Sequence, residues 1–280
     1  MIKYVFVCED SMEGIFTGVY DAWASKVGHE HVELRTEEIE NYELFCEYRN
    51  ILPDREKTEK VRRSIYKKLG AGAYYDIAVC VYSSFKDKAN AIYHTLADCL
   101  SPQGSLYGKK MPSGFHPGGT GSNYLENLCN PYVKRVSEIK KNVWLERERV
   151  LQFVRFRELQ NGILFAKIEP GHNVLPLVAD HFSNRFPLER WMIYDSHRQR
   201  ALAHEPEKGC LLMDEIQIKE EFLDGYADVK GNYEELWWNF CQNIAIPSRK
   251  NKQLQQHFVP LKLRDNLVEF QSLQIELNIL

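Results

Sequence analysis

The sequence predicts an α+β fold: a small, mainly antiparallel sheet packed with helices, preceded by a strand-helix region and followed by a helical C-terminus. Three observations carry the prediction. A short apolar run leads directly into helical spacing, the period changes to two after Leu151, and helical spacing returns near the end of the chain.

Residues 4–8 form the first apolar run and read as a buried strand; Ile15, Phe16, Val19, Tyr20 and Trp23 then recur at helical intervals. Asp10 and Glu13 have the D-x-x-E spacing of a capping box, with Asp10 expected at the cap. That structural role competes with a catalytic one for the same carboxylates. Between His29 and Glu47 the glutamates face only Arg35, and such a surface repels a phosphate backbone. Residues 54–70 read as a charged surface helix stopped by Gly70, and residues 75–99 as a further apolar strand and helix.

Residues 101–123 combine glycine and proline with little apolar periodicity, as a long loop or linker does. The expected organisation is an N-terminal α/β region at 1–100, a linker at 101–125 and an α+β module at 126–270. The module opens on a helix at 130–149 whose apolar stripe is Val133, Val136, Ile139, Val143 and Val150. Phe153, Arg155 and Arg157 then alternate with Val154 and Phe156, and Gln160-Asn161-Gly162 supplies a turn, so a β-hairpin is expected. Residues 174–186 return to helical spacing, with Pro176 tolerable only in the first turn. Short strands are expected at 191–194, 201–204 and 210–213. Near the end, Leu236, Trp237, Phe240 and Ile244 share a helical face, and Ser248 is expected to cap a last helix running to Phe258.

Bulk composition excludes several classes. The 280 residues are 44% hydrophobic, enough for one large core or two modest ones. The seven cysteines are odd in number and never form a CxxC pair, so neither a disulfide framework nor a zinc ribbon is written here. That usage, with no secretory h-region or membrane-length apolar run, leads to an expectation of a cytoplasmic protein with no membrane contact. A net charge of −3 excludes a globally basic nucleic-acid binder, so any such contact must be a local patch.

That patch is residues 244–264. No acid occurs between Leu236 and Arg264, whereas Arg249, Lys250, Lys252, Lys262 and Arg264 are cationic. With Ser248 as cap, the first three would occupy the first helical turn, where N–H groups and the helix dipole favour an anion and folding alone prefers acids. The alternative is a solvated basic face. A second candidate is the hairpin face carrying Arg155 and Arg157 beside Phe153, which suits phosphates and bases, or equally a salt-bridged edge neutralised by Glu146, Glu148 and Glu158. A third is Glu169, His172 and Asn173, followed by His181 and Arg185 on an otherwise apolar helix face. His181 and Arg185 are expected to hydrogen-bond internally to Asp195; otherwise His172, His181 and Asp195 are the general acid-base candidates. His29 and His31 lack a third ligand at useful spacing, so no metal site is expected. Gly118-Gly119-Thr120-Gly121 lacks the Lys-Ser/Thr of a P-loop.

The runs FVRFRELQNGILFAKIEPGHNVLPLVADHFSNRF, WMIYDSHRQRALAHE and LWWNFCQNIAIPSRKNKQLQQHFVP closely resemble a bacterial family of DNA metabolism or DNA repair proteins of unknown mechanism. The likeness is strong over residues 126–265, and YVFVCEDSMEGIFTGVYDAW is similar to the family's opening strand and acidic turn. Many relatives carry Asp-Gly where this chain has Glu9-Asp10. Glu13, Gly14, Arg155, Phe156, Pro170, Asn173, Pro176, His181, Phe182, Arg185, Asp195, Arg198, Trp237, Arg249 and Asn251 lie on the family-like motifs, and no catalytic assignment comes with them.

The resemblance implies a genomic setting beside a radical S-adenosylmethionine protein similar to spore photoproduct lyase, and in some proteins a fusion to a uracil-DNA glycosylase-like domain. This chain has no CxxxCxxC pattern, so iron-sulfur and S-adenosylmethionine chemistry would belong to the partner. The leading expectation is a DNA-binding accessory subunit, with Arg155, Arg157, Arg185, Arg198, Arg249, Lys250, Asn251, Lys252 and Arg264 as its nucleic-acid contacts. An enzyme acting on DNA or nucleotides through His and Asp groups, and a protein-interaction scaffold, are the competing expectations.

Overall fold

The computed structural model of the chain describes residues 2–37, 41–100, 125, 127–218, 237, 240, 241, 243, 244, 246–249, 251–264, 267 and 270. The chain divides into two compact units, Met1–Leu145 and Glu146–Leu280. The α+β expectation holds, with helices and two separate sheets.

In the first unit, β1 (Lys3–Cys8) leads into α1 (Met12–Ala24), followed by β2 (Val32–Arg35), β3 (Cys46–Ile51), α2 (Arg55–Val81), α3 (Lys88–Leu100) and most of α4 (Pro131–Phe153). The sheet order is β2-β1-β3, with both neighbours parallel to β1. Phe6, Ile15, Phe16, Leu34, Ile65, Ile77, Ile92, Leu96 and Ile139 meet in its buried core. Their removal from water is the main driving force for this unit.

Two local expectations are corrected here. The cap of α1 is Ser11, which accepts a hydrogen bond from Gly14 N at 3.0 Å; Asp10 instead pairs with the buried Lys88 Nζ at 2.5 Å. Residues 75–81 are helical rather than a strand. Gly70 breaks the helix with φ 87°, as its position predicts, but Ala73, Ile77 and Cys80 keep helical spacing on a buried face and the helix resumes.

Asn130 caps α4 through hydrogen bonds from Tyr132 N and Val133 N, and all five residues of the predicted stripe are buried. The helix runs farther than the period-two reading allows. Val154 N still bonds Val150 O, so Phe153 lies in the last helical turn and Arg155 follows it in coil. Apolar Val150, Phe153 and Val154 stand at i, i+3 and i+4, which continues the helix as readily as it suggests alternation. The hairpin survives in shortened form: β4 (Arg157–Glu158) pairs antiparallel with β5 (Leu164–Ile168).

The second unit continues with α5 (Leu175–Arg185), β6 (Trp191–Asp195), β7 (Arg200–Glu205) and β8 (Gly209–Met213). Its sheet has the order β4-β5-β6-β7-β8, antiparallel except for the β5-β6 pair that α5 connects. Phe156 meets Phe182, Phe186 and Trp191 edge-on, an aromatic cluster between α5 and the sheet. Among the described residues after β8, Trp237, Phe240, Cys241, Asn243 and Ile244 are helical, and α6 (Lys252–Phe258) and α7 (Leu261–Arg264) come after them.

Candidate functional site

The part of the second unit with the most constrained polar geometry is the loop Glu169-Pro170-Gly171-His172-Asn173, between β5 and α5. Two ionic groups grip it from different elements. Glu146, on the apolar stripe of α4 and only 9% exposed, accepts Gly171 N at 2.7 Å and His172 N at 2.5 Å. Arg198, on the turn after β6, donates to Pro170 O at 2.9 Å and to Gly171 O. Arg198 is itself held by Asp195, which is fully buried and 3.0 Å away; the other Asp195 oxygen accepts the backbone N–H groups of His197 and Arg198. Charge-assisted bonds of this kind are stronger than neutral ones and fix the loop backbone on both its N–H and C=O sides.

The loop borders two depressions. One is lined by Glu146, Arg149, Val150, Phe153, Lys167, Glu169, Pro170 and, from α7, Leu263. The other is an open, polar recess formed by Glu169, Pro170, Gly171, Ser196 and His197. Glu169 belongs to both. It accepts hydrogen bonds from Lys167 and from Ser196 Oγ at 2.9 Å, and these donors, Lys167 first, hold its carboxyl below the usual carboxylate range. At neutral pH it is therefore an acceptor or counter-charge rather than a proton donor. Asn173 Oδ1 is buried with no hydrogen-bond partner among the described residues.

The sequence candidates are distributed unevenly around this site. His172 lies in the gripped loop and Asp195 anchors it through Arg198, but His181 is exposed on α5 with its ring edge-on to Phe182. The expected internal bonds from His181 and Arg185 to Asp195 are not formed: α5 turns Leu175, Val178 and Phe182 inward, leaving His181 and Arg185 on the other side. Arg185 extends over the Phe186 ring at 5.7 Å.

The remaining cations divide into inward and outward groups. Arg155 Nη1 donates to Gln152 O and Val154 O, capping the end of α4, where a cation suits the helix dipole. Arg157 is half-buried on β4. Because Phe153 is helical, the alternating Phe153, Arg155 and Arg157 face does not exist. Glu146 holds the loop and Glu148 pairs with Arg147 at 2.5 Å. Arg264 donates to Val259 O and lies over the Phe270 ring at 4.6 Å.

The first-turn cluster also changes. Ser248 sits inside a short 3-10 turn, Pro247–Arg249, and the cap of α6 is Asn251, which accepts Leu254 N at 3.0 Å. An amide oxygen three residues before the N–H needing a partner competes successfully with a serine farther back. Lys252 alone of the expected trio starts the helix, Arg249 precedes it, and Lys250 lies outside the described residues, as does the glycine-rich stretch at 101–123. Arg249, Asn251 and Lys252 are all exposed. The same C-terminal stretch exposes Trp237, Phe240, Ile244, Leu254 and Phe258, with the Trp237 and Phe240 rings stacked at 5.6 Å.

Sequence reasoning missed the role of Glu146, together with Ser196, His197 and Lys167. A signal for Glu146 was present: an acid between Val143 and Val150 on a buried helical stripe requires an internal partner. Ser196 and His197 come to the loop only through the parallel β5-β6 pairing, which single-residue spacing does not reveal.

Residues 87–269 match the model of a domain of unknown function, DUF4130. The chain belongs to this family. The matched DUF4130 region contains every residue of the gripped loop and its two anchors, and begins after β1, α1, β2 and β3. No match is found among curated proteins. A solved structure of a DHH domain, described as a member of a family of ribosomal proteins, is 13% identical over 74% of each chain with a TM-score of 0.27, too low to bear on fold or function. Among the described residues, no group of three or more His, Cys, Asp or Glu is placed to hold a metal ion, and no helix is long and apolar enough to cross a membrane.

Proposed function

We propose that this DUF4130 protein binds nucleic acid through its C-terminal segment and serves DNA metabolism or repair as an accessory subunit. The observation that carries the reading is the joint exposure of Arg249 and Lys252 with the stacked Trp237-Phe240 pair and Phe258, in a stretch free of acids between Leu236 and Arg264. Cations that follow a phosphate backbone, combined with rings on which bases stack, are the parts of a single-strand binding surface. In a chain of net charge −3, such a segment localises an attraction that the whole molecule lacks. The likeness to DNA repair proteins supports damaged DNA as the ligand, a radical S-adenosylmethionine enzyme as the partner that performs the chemistry, and the bacterial cytoplasm as the setting.

Fluorescence anisotropy with short single-stranded and duplex DNA across a salt series tests the proposal. Binding at low salt should weaken steeply as salt rises, and Arg249→Glu with Lys252→Glu should reduce both affinity and salt slope. Absence of low-salt binding, or affinity and slope indifferent to both substitutions, sinks it.

The recess formed by Glu169, Ser196 and His197 beside His172 favours a second reading, an enzyme acting on DNA or nucleotides. Purified protein incubated alone with lesion-containing DNA would then release product, and His172→Ala or His197→Ala would abolish turnover while leaving the fold intact. No product under these conditions rejects this reading.

A further inference from the structure

Strand β3 lies at the edge of the first unit's sheet and, among the described residues, pairs with β1 alone. Its backbone phase is fixed: Lys3 N donates to Phe45 O, so Phe45, Glu47, Arg49 and Ile51 turn their N–H and C=O groups toward β1. Strand alternation then turns those of Cys46, Tyr48 and Asn50 toward the open edge. Such an edge is a template for another strand unless its residues discourage pairing. Here the flanks invite it, because Leu44, Phe45 and Leu52 are 86%, 78% and 84% exposed.

The sequence around the edge reads Leu44-Phe45-Cys46-Glu47-Tyr48-Arg49-Asn50-Ile51-Leu52 and is self-complementary about Tyr48. When two copies run antiparallel across a two-fold axis at Tyr48, the extended residues Cys46–Ile51 pair, while Leu44 and Phe45 stay in the turn before the strand, Phe45 with φ 62°. Glu47 faces the partner's Arg49, and Cys46 faces the partner's Asn50. The backbone phase agrees with this register independently of the side chains. Cys46, Tyr48 and Asn50, the residues with outward N–H and C=O groups, become the hydrogen-bonded pairs, while Glu47 and Arg49 fall at the closer non-hydrogen-bonded positions.

We propose that the protein forms a two-fold homodimer by antiparallel pairing of β3 with β3 of a second copy, centred on Tyr48, which joins two three-stranded sheets into one. The isologous register makes the second copy the fitting occupant: each charge meets its opposite twice. Within one chain Glu47 and Arg49 already pair at 2.8 Å on the exposed face, so dimerisation exchanges partners across the axis without stranding a charge. The surface lies outside residues 87–269 and shares no residue with the proposed nucleic-acid contact.

Sedimentation velocity of the full chain over the micromolar range provides the test, with circular dichroism as the folding control. The wild type should self-associate. Glu47→Arg sets two arginines opposite each other and should weaken association by about tenfold or more, whereas Glu47→Arg with Arg49→Glu should restore it. Tyr48→Pro removes an edge N–H at the axis while sparing the β1 ladder, and should give monomers. Asn50→Cys should form a disulfide with the partner's Cys46, identified by peptide mass spectrometry, because hydrogen-bonded pairs fall within disulfide reach. A monomer at every concentration overturns the proposal. So does a dimer that ignores the charge swap and forms no such cross-link, which would place any interface elsewhere or assign the edge to a different protein.

Discussion

Glu146 reaches from α4 to accept the backbone N–H of Gly171 at 2.7 Å, with His172 N on its second oxygen at 2.5 Å. A carboxylate that is 9% exposed and accepts two main-chain donors holds the loop while satisfying its own buried charge. Glu146→Ala leaves two backbone donors without that acceptor, at a cost of about 2–4 kcal/mol. Glu146→Gln keeps one oxygen and should cost less. Urea unfolding ranks the variants, and amide exchange at Gly171 and His172 should accelerate in both. Wild-type stability in the Ala variant would show that α4 does not hold this loop.

Arg198 makes the complementary grip from the other side, and its substitution separates an internal cation from a ligand-facing one. Asp195 is fully buried, so Arg198→Ala strands its charge and should destabilise the protein by roughly 3–5 kcal/mol. Arg198→Lys should recover only part of that loss, because one ammonium does not reproduce a guanidinium fork spanning Asp195, Pro170 O and Gly171 O. In DNA titrations under conditions where both variants remain folded, Arg198→Gln should leave the salt slope unchanged and Lys252→Glu should lower it. A lowered slope for Arg198→Gln would return Arg198 to the nucleic-acid surface.

The elements read correctly from sequence are those in which one periodicity dominates over several turns or a whole strand. The α4 stripe and strands β6, β7 and β8 are examples. Errors concentrate at ends, where two devices compete at one- to three-residue offsets: Ser11 over Asp10, Asn251 over Ser248, and the extension of α4 through Phe153. The site was legible as residue types, since Glu169, His172, Asn173, Asp195 and Arg198 all stood out. Their connections were not legible, because Glu146 lies 25 residues from Gly171 and Arg198 lies 27 beyond it. Nothing local encodes which carboxylate serves which backbone. The exposed edge of β3 was similarly hidden, since strand order is a tertiary property.

His94 gives the first unit a defined pH dependence. It is 4% exposed, lies within hydrogen-bond reach of Val32 O at 3.1 Å and stacks on Tyr132 at 4.3 Å; burial lowers its pKa to about 4. Because the folded-state value is depressed, protonation favours the unfolded chain. The contribution is present above the unfolded value near 6.5 and is lost as pH falls through about 4. Its full size corresponds to roughly 3 kcal/mol. Urea midpoints of wild type and His94→Gln should therefore converge as pH falls from neutral toward 4. Parallel curves would refute the assignment.

Gly14 should reverse the usual rule that alanine improves a helix. In an open helical position the exchange gains about 1 kcal/mol. Here a Cβ would stand 2.4 Å from Glu9 O and 2.8 Å from Glu9 Cβ, backbone and root atoms that cannot swing aside. Gly14→Ala should instead destabilise by about 1–3 kcal/mol, measured by thermal or urea unfolding, with Gly72→Ala as the comparison because nothing lies within 4 Å of its Cβ position. An equal response at the two positions would remove the close approach as the reason for glycine at position 14.

The C-terminal segment offers a direct choice between two capping residues. Asn251 Oδ1 accepts Leu254 N at 3.0 Å, whereas Ser248 belongs to the preceding 3-10 turn and is exposed. Asn251→Ala should therefore cost about 0.5–2 kcal/mol of local helix stability, and Ser248→Ala should change it very little. Hydrogen exchange at Leu254 N reads this directly, since global unfolding would mask so local an event. The two variants also separate helix order from charge in nucleic-acid binding, because neither alters a cation. If Asn251→Ala weakens DNA binding with an unchanged salt slope, Lys252 contributes only when α6 is formed. If binding survives with α6 frayed, the segment acts as a flexible chain of cations and rings, and the geometry of α6 is irrelevant to recognition.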